Sequence, residues 1–417
     1  MTMNPIGFGL VAIAATASLA VAGGDDEKKL NSSNLDRLAS QQGGDAGAVK
    51  LSAMAGKGIT IDGGDAFMLN IANRVQPYYA FAANDGAVAD VSSFSVRRAR
   101  TRFQGHIWNK DIKFRLQNDW VEGTSIKDAW LHWMFVNKDG NSVGLRFGQQ
   151  KTFFGREATG SSGGLEFVDR SLATRVQANG RSRGAALTGE HAEGKFHWTA
   201  GAFNTDTAAG SASSGEETAN PDNELTYVFT VRLDPNGDMG DESYMQGDLE
   251  GVQELKWGVG GGLQLGNHRA VVGGSTVDID GTSININGSA KIKGFHVLGE
   301  VFLRSDEADV TGSSSTDSTG FVVGGTYTLP KQEGHNSQWG FGGRYSMVEF
   351  DKAQTLLTMT GLGGAKGDVS ELTVVVNNFY RSHMLKTQAS WTLQNVNPSA
   401  GTDLTNHIIE LQVTFVF

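Results

Sequence analysis

From Phe67 to the C-terminal Phe417, apolar side chains return at every second position in segments of roughly ten residues separated by turn residues. A period of two marks a strand, because consecutive side chains leave opposite faces of the pleated backbone. In Glu224–Asp234, Leu225, Tyr227, Phe229, Val231 and Leu233 alternate with Thr226, Val228, Thr230 and Arg232. In Asp111–Trp120, Ile112, Phe114, Leu116 and Trp120 oppose Lys113, Arg115, Gln117 and Asp119. The last segment sets His407, Ile409, Leu411, Val413, Phe415 and Phe417 against Ile408, Glu410, Gln412 and Thr414. One greasy and one polar face, repeated at about the length a tilted strand needs to cross a bilayer, predict strands with lipid on one side and water on the other.

Such segments fall near 66–82, 93–107, 111–121, 126–136, 143–150, 183–192, 195–204 and 223–234. A second set lies near 252–265, 281–292, 295–304, 319–329, 337–350, 369–380, 384–395 and 405–417. The total is about sixteen, an even number that leaves both termini on the periplasmic side and a barrel wide enough for an aqueous channel. Turn lengths agree: 109–110, 137–141, 192–194, 293–294 and 381–383 are short and alternate with the longer 205–222, 266–280, 305–318 and 351–368. Only 235–251 is long where a short turn is expected. Aromatic residues near strand ends, among them Tyr79, Trp108, Trp133, Trp257, Trp339 and Trp391, fit interfacial girdles. The expected fold is all-β: a transmembrane antiparallel β-barrel of about sixteen strands with an inward-folded long loop.

Composition fits. With 56 Gly, 6 Pro and 39% hydrophobic residues, the chain suits a barrel that is apolar only on its outside better than a large soluble core. A mean hydropathy of -0.26 excludes a helical membrane bundle, which needs several apolar runs of about twenty residues. The one long apolar run, Ile6–Ala22, ends in Ala20-Val21-Ala22 ahead of Gly23-Gly24-Asp25-Asp26-Glu27, the form of a cleaved secretory signal. Residues 1–22 are therefore expected to be a signal peptide, 23–57 a periplasmic linker and 58–417 the barrel. The lack of cysteine suits export through an oxidising compartment. A net charge of -10 excludes a generally basic nucleic-acid binder.

The charge is unevenly placed. Arg98, Arg100, Arg102, Gln104 and His106 share one face of a strand, with Ala99, Thr101 and Phe103 on the other. An arginine facing lipid costs roughly 2–4 kcal/mol near the midplane, so these should face the lumen. By the same parity, Lys113, Arg115, Arg146, Arg232, Lys291, Arg304 and Arg344 are lumen candidates, opposed by acids that include Asp119, Asp128 and Glu300. Acidic runs such as Asp25–Glu27, Glu216-Glu217 and Asp238–Glu242 lie outside the strands. A basic wall inside an acidic protein can favour anions at a constriction.

Signals of catalysis are weak. Gly160-Ser161-Ser162-Gly163-Gly164 matches G-x-S-x-G formally, yet it lies in a Gly/Ser loop without the strand and helix a nucleophile elbow requires. The nine histidines show no metal-ligand spacing, and no cofactor is implied.

SFSVRRARTRFQGH at 93–106, GQQKTFFGRE at 148–157 and EFVDRSLAT at 166–174 resemble the phosphate-selective porin O and P family. The likeness continues through KIKGFHVLGEVFLR at 291–304, WGFGGRYSMVEFD at 339–351 and LTVVVNNFYRSH at 372–383. The resemblance implies an outer-membrane homotrimer passing anions or other small hydrophilic solutes. In that family phosphate selectivity rests on converging Lys and Arg, whereas here Ala158–Gly164 holds no lysine. In general porins the third extracellular loop narrows the lumen, and the connection 150–183, with Lys151 and Arg156 near its start, occupies the corresponding place. The terminal Phe417 on an amphipathic strand resembles the sorting signal read by the outer-membrane assembly machinery. These features point to a diffusion pore in the bacterial outer membrane, with lipid around it. A barrel that serves as an outer-membrane enzyme or surface structural protein is the alternative. N-terminal sequencing of the protein recovered from outer membranes is expected to begin near Gly23; retention of Met1–Ala22 would overturn the signal reading.

Overall fold

In a bilayer a strand must give every backbone N–H and C=O to a neighbouring strand, because no water reaches them there. The computed structural model describes residues 49–86, 88–121, 125–178, 180–204, 225–236, 239, 246–272, 275–308, 315–351 and 366–417. Within Lys50–Phe417 the strands are β1 (Lys50–Met54), β2 (Gly58–Asp62), β3 (Phe67–Ala83), β4 (Val91–Ile107), β5 (Ile112–Asp119) and β6 (Ser125–Lys138). They continue as β7 (Asn141–Lys151), β8 (Arg181–His191), β9 (Phe196–Asn204), β10 (Leu225–Leu233), β11 (Lys256–Val272) and β12 (Ser275–Ile292). The last six are β13 (Phe295–Ala308), β14 (Thr316–Thr328), β15 (Gln338–Phe350), β16 (Gly367–Arg381), β17 (Leu385–Pro398) and β18 (Leu404–Val416). From β3 onward each strand pairs antiparallel with the next, and β18 returns to β3 from His407↔Ala83 to Val416↔Arg74. The sheet is thus a closed antiparallel barrel of sixteen strands, each where the alternation placed one.

The two faces separate as the alternation requires. On β10, Leu225, Tyr227, Phe229, Val231 and Leu233 are 36 to 54% exposed, whereas Thr226, Val228 and Arg232 are buried. That exposed apolar row is the lipid-facing surface of a membrane barrel.

Three features depart from the sequence reading. First, β1 and β2 form a hairpin that the alternation had not singled out. It continues the edge of β3 where β18 stops, with Ile59↔Ile71 through Asp62↔Met68. Second, 266–272 and 275–280 are paired strand rather than loop, since β11 and β12 stay in register to Val272↔Ser275. Beyond the lipid the outer face need not be apolar, so the extension leaves no period-two signal. Third, the described part of the connection between β10 and β11, residues 246–255, folds back on the barrel: Asp248 accepts hydrogen bonds from Val252 N at 3.0 Å and Gly294 N at 2.7 Å.

Four register shifts interrupt the ladders among the described strands, and two of them bear on the basic residues. Opposite Gln76 and Pro77, β4 carries Arg98 and Val96 with Arg97 unpaired between them. Opposite Gln117 and Asn118, β6 carries Asp128 and Ile126 with Lys127 between them. A bulge inserts one residue and lets two neighbours share a face. Proline at 77 has no N–H to offer the ladder, which suits a break there.

Phe229, mid-strand on the lipid face, should be intolerant of charge. Phe229→Arg is expected to lose about 2–4 kcal/mol of unfolding free energy in lipid vesicles, with Phe229→Leu near the parent value. Urea titrations followed by tryptophan fluorescence check this.

Candidate functional site

The connection between β7 and β8 holds two short helices, α1 (Arg156–Thr159) and α2 (Leu172–Gln177). Gly155, at φ 81°, starts α1, and a Cβ there would lie 3.3 Å from the Phe302 ring. Phe154, Leu172, Ala173 and Ala178 of this connection pack with Phe203, Val228, Phe302, Val348, Phe350, Val369 and Val396. Those strand residues lie on the faces opposite the lipid-exposed row, and the connection covers apolar surface there that water would otherwise meet.

Carboxylates fix its course. Glu300 of β13 accepts the backbone N–H groups of Arg156, at 2.8 Å, and of Glu157, satisfying donors that α1 leaves unpaired at its start. Glu157 accepts from Ser171 N and Oγ at 2.8 and 2.7 Å and from Arg344 at 3.2 Å. Arg175 donates to both oxygens of Glu371, at 2.7 and 2.9 Å. Asp169 accepts from Arg97 and, at 3.3 Å, from Arg98. Burial pushes the Asp169 carboxyl up, but Arg97 and Arg98 outweigh it and hold the group well below the usual carboxylate range. Burial is likewise outweighed at Glu157, which Arg344 and the Ser171 hydrogen bonds keep low. Burial draws Arg170 down to about 10, while it donates to the carbonyls of Glu157 and Gly160 at 3.0 and 2.8 Å.

Between this connection and strands β3 to β8 lies a cavity of about 580 Å³. Of the residues singled out in the sequence, it brings together Arg98, Arg100, Arg102, Arg115, Asp128, Arg146 and Lys151. Arg170, Arg175 and Asp169, which the sequence already placed in the long connection, line it too, and Arg74, Lys127 and Arg181 join them, so eleven basic side chains and two carboxylates line it. Arg100 pairs with Asp119 at 2.7 Å and Arg181 with Asp128 at 2.9 Å.

The other sequence candidates lie elsewhere. Arg344 and Glu300 anchor the connection, and Arg156 sits with Arg232 beside a small cavity of about 40 Å³. Arg232 pairs with Asp234 and Arg304 with Asp306, each at 2.8 Å. Lys291 reaches the Met239 carbonyl at 3.4 Å. Lys113 is exposed, in register with His106 and His132, and does not line the main cavity. Sequence parity missed Arg97 and Lys127 because it assumes an unbroken period; a bulge puts each beside an inward neighbour. The paired Arg97-Arg98, one of which would otherwise meet lipid, was the available signal. Arg74 was missed too, although it shares its parity with Gln76 and stands in register with Arg100.

A closed barrel with an apolar outer row and a charged interior cavity defines a porin-type channel of the bacterial outer membrane. The chain belongs to the phosphate-selective porin O and P family, whose model matches residues 69–417. No curated protein matches it significantly. Among solved structures it is similar to the outer-membrane channel DcaP of Acinetobacter baumannii, at 12% identity and TM-score 0.56 over 84% of this chain and 97% of that one. It is also similar to the trimer form of OmpT from Vibrio cholerae, at 14% identity and TM-score 0.52 over 84% of this chain and 100% of that one. An anion-selective porin from Comamonas acidovorans is a third, at 12% identity and TM-score 0.51 over 83% and 99%. At such identities the likeness establishes the fold.

Because the Asp169 and Glu157 carboxyls are depressed, their contribution to anchoring is complete above about pH 5 and is lost as pH falls through the lowered values. Open-channel current noise in the parent protein is therefore expected to rise only well below pH 4. Asp169→Asn, which removes the charge facing Arg97 and Arg98, is expected to show raised noise already at pH 7; single-channel recording checks both.

Proposed function

We propose that this protein is a passive diffusion channel for small hydrophilic solutes that prefers anions. One observation carries the reading: eleven basic side chains against two carboxylates around the main cavity, in a chain of net charge -10. Alternate residues of a strand stand roughly 7 Å apart. That is within the Debye length of about 8 Å at physiological salt, so an anion beside Arg100 also feels Arg98 and Arg102. Residues 152–178 of the connection fold into the lumen and narrow it; their contacts with Glu300, Arg344 and Glu371 support this course. Phosphate is a candidate solute from the family's description, and the similarity to a porin described as anion-selective supports the anion preference. A homotrimer is the proposed assembly, supported by the trimeric OmpT neighbour.

Transport rather than catalysis fits the Gly160–Gly164 segment. Ser162 Oγ accepts from Arg74 at 2.9 Å and Arg100 at 3.3 Å, so its hydroxyl faces cations rather than a general base.

The zero-current potential across a KCl gradient in planar bilayers tests the reading. The parent protein is expected to give the sign of chloride permeation, and the Arg98, Arg100, Arg102 triple alanine variant a value closer to zero. Cation preference in the parent, or an unchanged potential in the variant, would overturn the assignment.

A further inference from the structure

Trp130 lies on β6 between Arg115 of β5 and Arg146 of β7. The Arg146 guanidinium carbon is 4.3 Å from the Trp130 ring centroid and that of Arg115 is 5.3 Å away. Arg146 also lies 5.3 Å from the centroid of Phe153, at the start of the connection to β8. All four side chains line the basic cavity. Ala158, Ala178, Met384 and Val416 add aliphatic surface to the same wall.

A channel built only for halide or inorganic oxyanions gains nothing from these groups. Small hydrated anions are attracted by charge, and indole, phenyl and methyl surfaces do not help to replace their water. Charge and apolar surface together suit an anion that has both. A cation–π contact holds a guanidinium over an aromatic face, and the planar fork of a guanidinium matches a carboxylate bidentately. The ring or chain behind the carboxylate then meets Phe153 and the aliphatic wall. A cavity of about 580 Å³ lies within the range of roughly 300–1,000 Å³ typical of small-molecule sites.

We infer that the Arg115–Trp130–Arg146–Phe153 stack is a binding subsite for organic carboxylates with a planar apolar body, held in preference to inorganic anions. The inference rests on the anion reading above and adds the substrate class. Arg115 also donates to Gln104 at 3.1 Å, which fixes its guanidinium further.

The test is block of the chloride current through the full chain in planar bilayers by sodium benzoate, sodium acetate and sodium phosphate. Benzoate is expected to halve the current at a concentration about fivefold or more below that of acetate or phosphate. Trp130→Leu and, separately, Arg146→Lys are expected to bring benzoate within about twofold of acetate. The readout is the ratio of the two half-blocking concentrations within one variant, so a change in overall conductance divides out. If either variant yields no channels, the other supplies the comparison, and the parent protein alone can refute the idea. Equal block by benzoate and acetate, stronger block by phosphate, or a benzoate preference that survives both substitutions would overturn the subsite. Chloride preference in the KCl gradient together with any of these results removes the subsite and leaves the anion reading standing; cation preference removes the anion reading itself.

Discussion

Hydrocarbon offers no partner to a backbone amide, and an unpaired group there costs several kcal/mol. Sixteen strands can meet that demand only if the last pairs with the first, which β18 and β3 do from His407↔Ala83 to Val416↔Arg74. Where β18 runs out, β2 takes its place beside Ile71 to Met68, so the longer β3 is not left with an open edge. Closure also makes parity global. Once the outer face must be apolar, every intervening residue is committed to the interior, and the arginines of β4 follow. The bulges at Arg97 and Lys127 work within this rule, each setting a basic residue beside an inward neighbour.

The interior then divides its charges. Glu300, Glu157, Glu371 and Asp169 are engaged with the connection between β7 and β8, through backbone amides, Arg344, Arg175 and the Arg97-Arg98 pair. Breaking a buried pair by removing one partner leaves an uncompensated charge, which is strongly unfavourable, so these carboxylates hold the segment in one place. With the acids so engaged, the walls of β3 to β8 are left predominantly basic. Net charge is a poor guide here because it sums groups that never face the same volume of water.

A second connection helps to place the first. Gln246, in the segment between β10 and β11, donates its backbone N–H to Gly164 O at 2.9 Å and its side chain to Glu157 at 3.3 Å, and accepts from Glu166 N at 3.0 Å. Lys386 and Gln388 of β17 reach the carbonyls of Leu165 and Glu166. His296 holds the Glu166 carboxylate at 2.6 Å. Residues 164–166 are thus tied to Gln246, to β17, and to β13 and β14 through His296 and Thr326.

Alternation by itself determined the barrel, its strand number and the inward face of Arg98, Arg100, Arg102, Arg115 and Arg146, because a period of two is a local property that lipid enforces on every strand alike. It could not determine Arg97 or Lys127, since a bulge is a disagreement between two strands and is invisible in either alone. Nor could it sort the inward charges. Arg344, Arg304 and Arg232 face inward like Arg102, yet only the closed barrel and the path of residues 152–178 decide which of them line the main cavity and which lie away from it. The approach of Arg146 to the Trp130 and Phe153 rings belongs to the same class. Its members come from strands and a loop whose distances are set by barrel curvature and packing, and no spacing along the chain records that.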